Sequence, residues 1–272
     1  MGQAPWQPLL WIAFSHAESP GDISRQAIED WIFFGRSERS WSPKTIRNRL
    51  QALGLFFDWM VREGLLRSNP VAEIPKPKLP VRIPRHLTQE EAFQLLDWTK
   101  NFPFGYLFER SRAAAIIATF IYTGIRAEEL RMLKMSAIDL ANRTLFVASG
   151  KGNKDRIIPI TRSLALFLEE YLRDRRRMRR SCPYFFTAMR QDSQMGPLVV
   201  KRLVDRLRER SGIYFYPHML RHTFATLMLE GGCDLFSLSK MMGHSDIKTT
   251  TIYLSATTGH LREQIRKHPL DA

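Results

Sequence analysis

Three stretches of this chain hold side chains that can handle a phosphate group. In PHMLRHTFATLMLEGG, a helical period of about 100° per residue gathers His218, Arg221, His222 and Ala225 on one side. Leu220, Phe224, Leu227 and Met228 gather on another. Two histidines four residues apart suggest zinc, but no Glu follows the first, and Arg221 would repel a cation. An anion suits the set better, since Arg offers a planar fork and His can give or take a proton. In YTGIRAEEL, Arg126 stands just past a glycine turn at a helix start, with Glu129 one turn on to pair with an Arg and set its rotamer. In MMGHSDIKTTTIYL, His244 follows a helix-stopping glycine and Tyr253 lies nine residues beyond. Taken singly, each has a plain alternative: a surface ion pair for Glu129, a structural role for one histidine, packing for a lone tyrosine.

The elements that must carry these groups are legible from punctuation. Five of the fifteen prolines fall between Pro70 and Pro84, which forbids a continuous helix and predicts an extended strap over 70–87. That strap separates a helical domain, 1–80, from a larger one, 85–272. In the first, Ser42 and Pro43 open a helix running to about Glu63, with Ile46, Leu50, Leu53, Phe57, Met60 and Val61 on one stripe. Its other side carries Lys44, Arg47, Asn48 and Gln51, either a solvated face or a helix for the DNA major groove. In the second domain Thr88 caps a helix, another spans 108–122, and a short one holds Arg126 and Glu129. Thr144–Ser149 and Arg156–Ile160 form a β-hairpin across GKGNKD, which puts Lys151 on a projecting tip. Helices follow at 163–179, 198–210, 218–230, 235–242 and 247–254. The fold class expected is mainly α with a small antiparallel β-sheet.

Composition narrows the partner. The 272 residues are 44% apolar and 25% charged, an ordinary globular balance, yet Lys and Arg number 41 against 27 Asp and Glu, a net +14. Eleven basic and eight acidic residues lie in 1–82, and thirty and nineteen in 83–272, so most of the surplus sits in the larger part. A polyanion is the expected partner. Six arginines and one aspartate crowd the run RDRRRMRR at 173–180, either a solvated helix end or a phosphate clamp. Two cysteines, Cys182 and Cys233, are too few for a disulfide framework and fit a reducing compartment. No stretch has the length of a membrane span.

Arg126 in TGIRAEEL, Lys151 in GKGNKDR, His218 and Arg221 in HMLRH, His244 in MGHSD and Tyr253 nine residues on resemble, in order and spacing, the tyrosine recombinases of the phage integrase family. The likeness runs from about 85 to 272. GKGNKDR, MMGHSDIKTT and LREQIRKHP are similar to the Xer type. The resemblance implies a two-domain clamp on duplex DNA: a core-binding domain, here short, and a catalytic domain. It implies cleavage by Tyr253 to a 3′-phosphotyrosine and a free 5′-hydroxyl, then exchange through a Holliday junction, without metal or nucleotide cofactor. It further implies an inverted-repeat site, a tetrameric synapse with tails exchanged between subunits, and a prokaryotic, cytoplasmic, nucleoid-associated setting. Chromosome dimer resolution and mobile-element integration are both compatible.

Within that frame each residue type suits its step. Arg126, Arg221 and His244 can stabilise charge on the non-bridging oxygens, and Lys151 can protonate the leaving 5′-oxygen. His218 suits the base for the phenol, Glu129 orients, and His222 supports. After Tyr253 comes Leu-Ser instead of the Thr-His usual in Xer proteins. A type IB topoisomerase is the alternative reading, one His218 argues against.

Overall fold

Helix starts follow side-chain chemistry in the computed structural model, which describes residues 7–79, 84–148, 155–243, 248–251 and 253. The chain divides into two units, Met1–Arg82 and Ile83–Ala272. Among its described residues the first holds the α-helices α1 Gln7–Ser15, α2 Arg25–Ser37 and α3 Pro43–Arg62. The Thr45 N–H donates to the Ser42 hydroxyl and Pro43 fills the first turn of α3, so one N-terminal donor there is satisfied and another is absent. Along α3, Ile46, Leu50, Leu53, Phe57 and Met60 are buried against Trp11, Ile28 and Trp31. Each such apolar side chain contributes about 1.5–3 kcal/mol on burial. Val61, expected on that stripe, is only half-buried.

In the second unit Thr88 and Glu91 form a reciprocal cap on α4, Gln89–Asn101. Helix α5, Leu107–Thr123, is hydrophobic all round from Ala113 to Phe120 and fully buried there, the centre around which the unit is built. Around it lie α6 Ala127–Met132, α7 Arg162–Arg177, α8 Val199–Ser211, α9 Pro217–Glu230, α10 Leu235–Met242 and α11 Lys248–Thr251. A three-stranded antiparallel sheet stands in the order β1 Ile138–Asp139, β2 Thr144–Val147, β3 Arg156–Pro159. Phe146 faces Ile157 across β2 and β3, both exposed, while Leu145, Val147 and Ile158 point into the core. The fold is mainly helical with a small antiparallel sheet. Strand β1 was not expected; at two residues it is too short for alternation to reveal.

The 173–180 run divides in two, with Arg173, Arg176, Arg177 and Arg179 exposed and Arg175 and Arg180 turned toward the backbone. Arg175 turns inward at the end of α7 and donates to the carbonyls of Arg180, Cys182 and Tyr184, while Arg180 donates to Met189. These arginines pin the segment 180–190, and Arg176, Arg177 and Arg179 remain exposed. Among the described residues no helix is long and apolar enough to cross a membrane.

Candidate active site

Two left-handed glycines shape the site. Gly124 ends α5 at φ +59° and Gly243 ends α10 at φ +64°, conformations that any Cβ would strain. Each cap also leaves a carbonyl that a buried arginine takes up. Arg221, 2% exposed in the first half of α9, donates Nη1 to the Gly124 carbonyl and Nη2 to the Met242 carbonyl, both at 2.6 Å. Both turns are thereby fastened to one guanidinium. Burial first, then the neighbouring Arg126, pushes Arg221 down to about 10, so it stays charged at neutral pH.

Arg126 is the N-cap of α6 and is 38% exposed, the reach a group needs to meet a bound ligand. Glu129 fixes it twice: the Arg126 N–H donates to Oε2 at 2.9 Å and Nη1 to Oε1 at 2.7 Å. Nη2 lies 3.5 Å from the Gly243 carbonyl, so Arg126 and Arg221 approach the same turn from two helices. Burial would raise the Glu129 carboxyl. Hydrogen bonds from Arg156 and from the Arg126 N–H, with the Arg156 charge, overcome it and hold the group at about 2.

Arg156 is the residue that sequence reasoning missed. It opens β3 on the inward side, in phase with Ile158, and its side chain is 5% exposed. Its Nη1 and Nη2 donate to the two Glu129 oxygens at 3.0 and 2.7 Å, and Nε donates to the Met241 carbonyl at 2.7 Å. An arginine at an inward strand position is the signal that could have found it, because a buried charge must have a built partner.

Tyr253 follows α11, 2% exposed, in a small core with Phe224, Ala225, Leu229, Leu238 and Met242. Its hydroxyl shares a 2.7 Å hydrogen bond with His222 Nδ1. His218, expected to serve the phenol, is exposed one turn earlier on α9, its ring stacked on His222 at 4.7 Å and 11°. Burial raises the Tyr253 phenol while Arg221 draws it down. Burial, then His218 and Arg221, lowers His222 to about 4, so the imidazole is neutral at ordinary pH.

The structure therefore brings Arg126, Glu129, His218, Arg221, His222 and Tyr253 together on α6, α9 and the segment after α11. Lys151 and His244 lie outside the described residues. Lys44, Arg47, Asn48 and Gln51 belong to the other unit, all exposed on α3. Arg49, between them in sequence, instead lays its guanidinium over Trp41 at 3.9 Å.

Paired arginines about a tyrosine and two histidines form a site suited to an anionic phosphate group. The family model of the phage integrase family matches residues 85–260, and the chain belongs to that family of tyrosine recombinases. It is 33% identical over 260 residues to the tyrosine recombinase XerA of Pyrococcus horikoshii, covering 94% of this chain and 84% of that one. With the tyrosine recombinase XerC of Bacillus licheniformis it shares 34% identity over 240 residues, 85% and 76% of the two chains. A crystal structure of XerA recombinase matches 97% of this chain and 90% of that one at 27% identity and a TM-score of 0.59. The fold is also that of XerH site-specific recombinase bound to a palindromic difH substrate. That match has a TM-score of 0.78 at 24% identity, covering 96% of this chain and 77% of that one.

Proposed function

We propose that the chain is a site-specific recombinase that cleaves and rejoins duplex DNA through a 3′-phosphotyrosyl intermediate. The observation that carries this reading is the convergence of Arg126 and Arg221 on the Met242–Gly243 turn, with Tyr253 packed on the helix that bears Arg221. In the reaction, Tyr253 Oη attacks the scissile phosphorus and the 5′-oxygen leaves. The phenol proton passes to His218, and Lys151 returns a proton to the leaving oxygen. Arg126, Arg221 and His244 stabilise the charge that grows on the non-bridging oxygens. The phosphotyrosyl bond keeps the energy of the diester, so attack by a 5′-hydroxyl reverses the step. Because Tyr253 is sealed against His222, attack requires the phenol to leave that contact and turn toward the two guanidinium groups. The topoisomerase alternative finds no support among the relatives just named.

Duplex DNA with inverted half-sites is the proposed substrate, engaged by the α3 face of Lys44, Arg47, Asn48 and Gln51 as well as by the larger unit. The test is a suicide half-site on a denaturing gel: Tyr253→Phe should abolish the covalent band while duplex binding stays nearly intact. A surviving band would place the nucleophile elsewhere. A tetrameric synapse with exchanged tails belongs to the same proposal. Deleting residues 260–272 should spare half-site binding and cripple strand exchange, and equal recombination by the shortened chain would count against it.

A further inference from the structure

Arg156 ties together parts of the site that no single element could align. One arm grips both oxygens of Glu129, the carboxylate that cradles Arg126; the other holds the Met241 carbonyl at the end of α10. A Cβ on Gly243 would lie 3.0 Å from Arg156 Cδ and Nη1, so the αL turn is packed directly on this side chain. Strand β3, helix α6 and the end of α10 thus meet on one buried guanidinium. We infer that Arg156 is a positioning residue of the cleavage reaction, acting through Glu129 to hold the Arg126 fork and through Met241 to hold the turn before residue 244. This rests on the recombinase reading of the site.

The charge balance states what Arg156 contributes beyond packing. Among the described residues, the cationic side chains that act on the Glu129 region are Arg126 from the start of α6, Arg156 from β3 and Arg221 from α9. Burial opposes ionisation of Glu129, and Arg156 supplies the strongest of the bonds that restore it. Without Arg156 the carboxyl shifts upward while remaining enclosed. Once protonated it keeps only one acceptor oxygen fully available, and its double hold on Arg126 fails. A residue that merely filled space would not give cleavage a new dependence on pH.

The experiment uses the full chain with Arg156→Met, which keeps an unbranched apolar stem without the fork. Single-turnover cleavage of a suicide half-site at saturating enzyme should fall about 10- to 100-fold, less than for loss of Arg126 itself, with half-site affinity little changed. The remaining rate should decline further on acidification than that of the wild type, because Glu129, without the bonds and charge of Arg156, takes up its proton at a higher pH than before. Arg156→Met combined with Glu129→Gln should be slow but lack the added acid limb, since Gln does not titrate. Arg156→Lys, which brings charge without the planar fork, should restore the wild-type pH profile and only part of the rate. If Met unfolds the protein, Arg156→Gln offers one neutral donor and should show the same acid limb. A wild-type rate and pH profile in the folded Met or Gln variant would overturn the inference, as would an acid limb that survives in the double variant. Selective carbon-13 labelling of glutamate reads the Glu129 carboxyl in DNA-free protein, where it should titrate higher in Arg156→Met. That readout stands apart from whether Tyr253 forms the covalent link, so the two proposals can fail separately.

Discussion

His222 and Glu129 sit within one site, yet their pH dependences have opposite origins. The phenol of Tyr253 meets an imidazole that burial and its cationic neighbours hold neutral, down at about 4 from an ordinary 6.5. The unfolded chain therefore takes up that proton first, and stability falls as pH drops from about 6.5 toward 4. Glu129 is depressed from 4.5 to about 2, so its contribution is complete above about 4.5 and is lost only as pH falls toward 2. Between 4.5 and 6.5 the histidine alone of this pair moves. His222→Asn, which keeps a polar atom near the Nδ1 position and does not titrate, should flatten the decline of the urea midpoint across that interval. Midpoints that fall in parallel for the variant and the wild type would show that His222 is not held neutral.

At the scale of elements, the site is made where helices stop. Helices α5 and α10 end in left-handed glycines, Arg221 donates to the Gly124 and Met242 carbonyls at these two turns, and the second turn also rests on Arg156. Gly243→Ala imposes backbone strain at a positive φ and a 3.0 Å approach to Arg156, a side chain anchored by its bonds to Glu129 and Met241. It should cost about 2 kcal/mol or more, read by chemical denaturation. A loss within ~0.5 kcal/mol would mean that the turn relaxes freely. Helix α11 is a single described turn, Lys248–Thr251, and its Thr249, Thr250 and Thr251 are β-branched, each about 0.5 kcal/mol less favourable than Ala. What holds Tyr253 is therefore the berth formed by α9 and α10, with Thr250 buried beside it, and not the helical preference of its own segment.

The whole molecule carries +14, and that surplus acts on a polyanion at long range. Affinity for a DNA half-site should therefore fall steeply with salt, by about 0.9 in log K per tenfold salt for each phosphate contact neutralised. Lys44→Ala and Arg47→Ala, on the exposed face of α3, should each weaken binding and reduce that slope by about one contact. Slopes identical to the wild type would assign this face to solvent. The arginine-rich run does not supply its whole formal charge to such a surface, because Arg175 is enclosed and spends its donors on backbone carbonyls.

The sequence by itself determined everything that depends on neighbours along the chain. Ser42 and Thr88 start their helices because a hydroxyl three residues before an N–H can cap it, and Gly124, Gly212 and Gly243 stop theirs because they alone tolerate positive φ cheaply. The words around Arg126, His218, Arg221 and Tyr253 carried the family. Tertiary structure decided the partnerships. Glu129 meets Arg156 from 27 residues away and His222 meets Tyr253 from 31, distances over which no local period applies. It also decided that Arg156 faces inward, that Arg175 is a strut, and that His222 is neutral. Each of these follows from exclusion of water, which comes about only when elements close on one another: α6, α9, α10 and β3 around Arg156 and His222, and α7 with the segment 180–184 around Arg175. A charge or a ring nitrogen acquires its final character from that enclosure, which the order of residues cannot express.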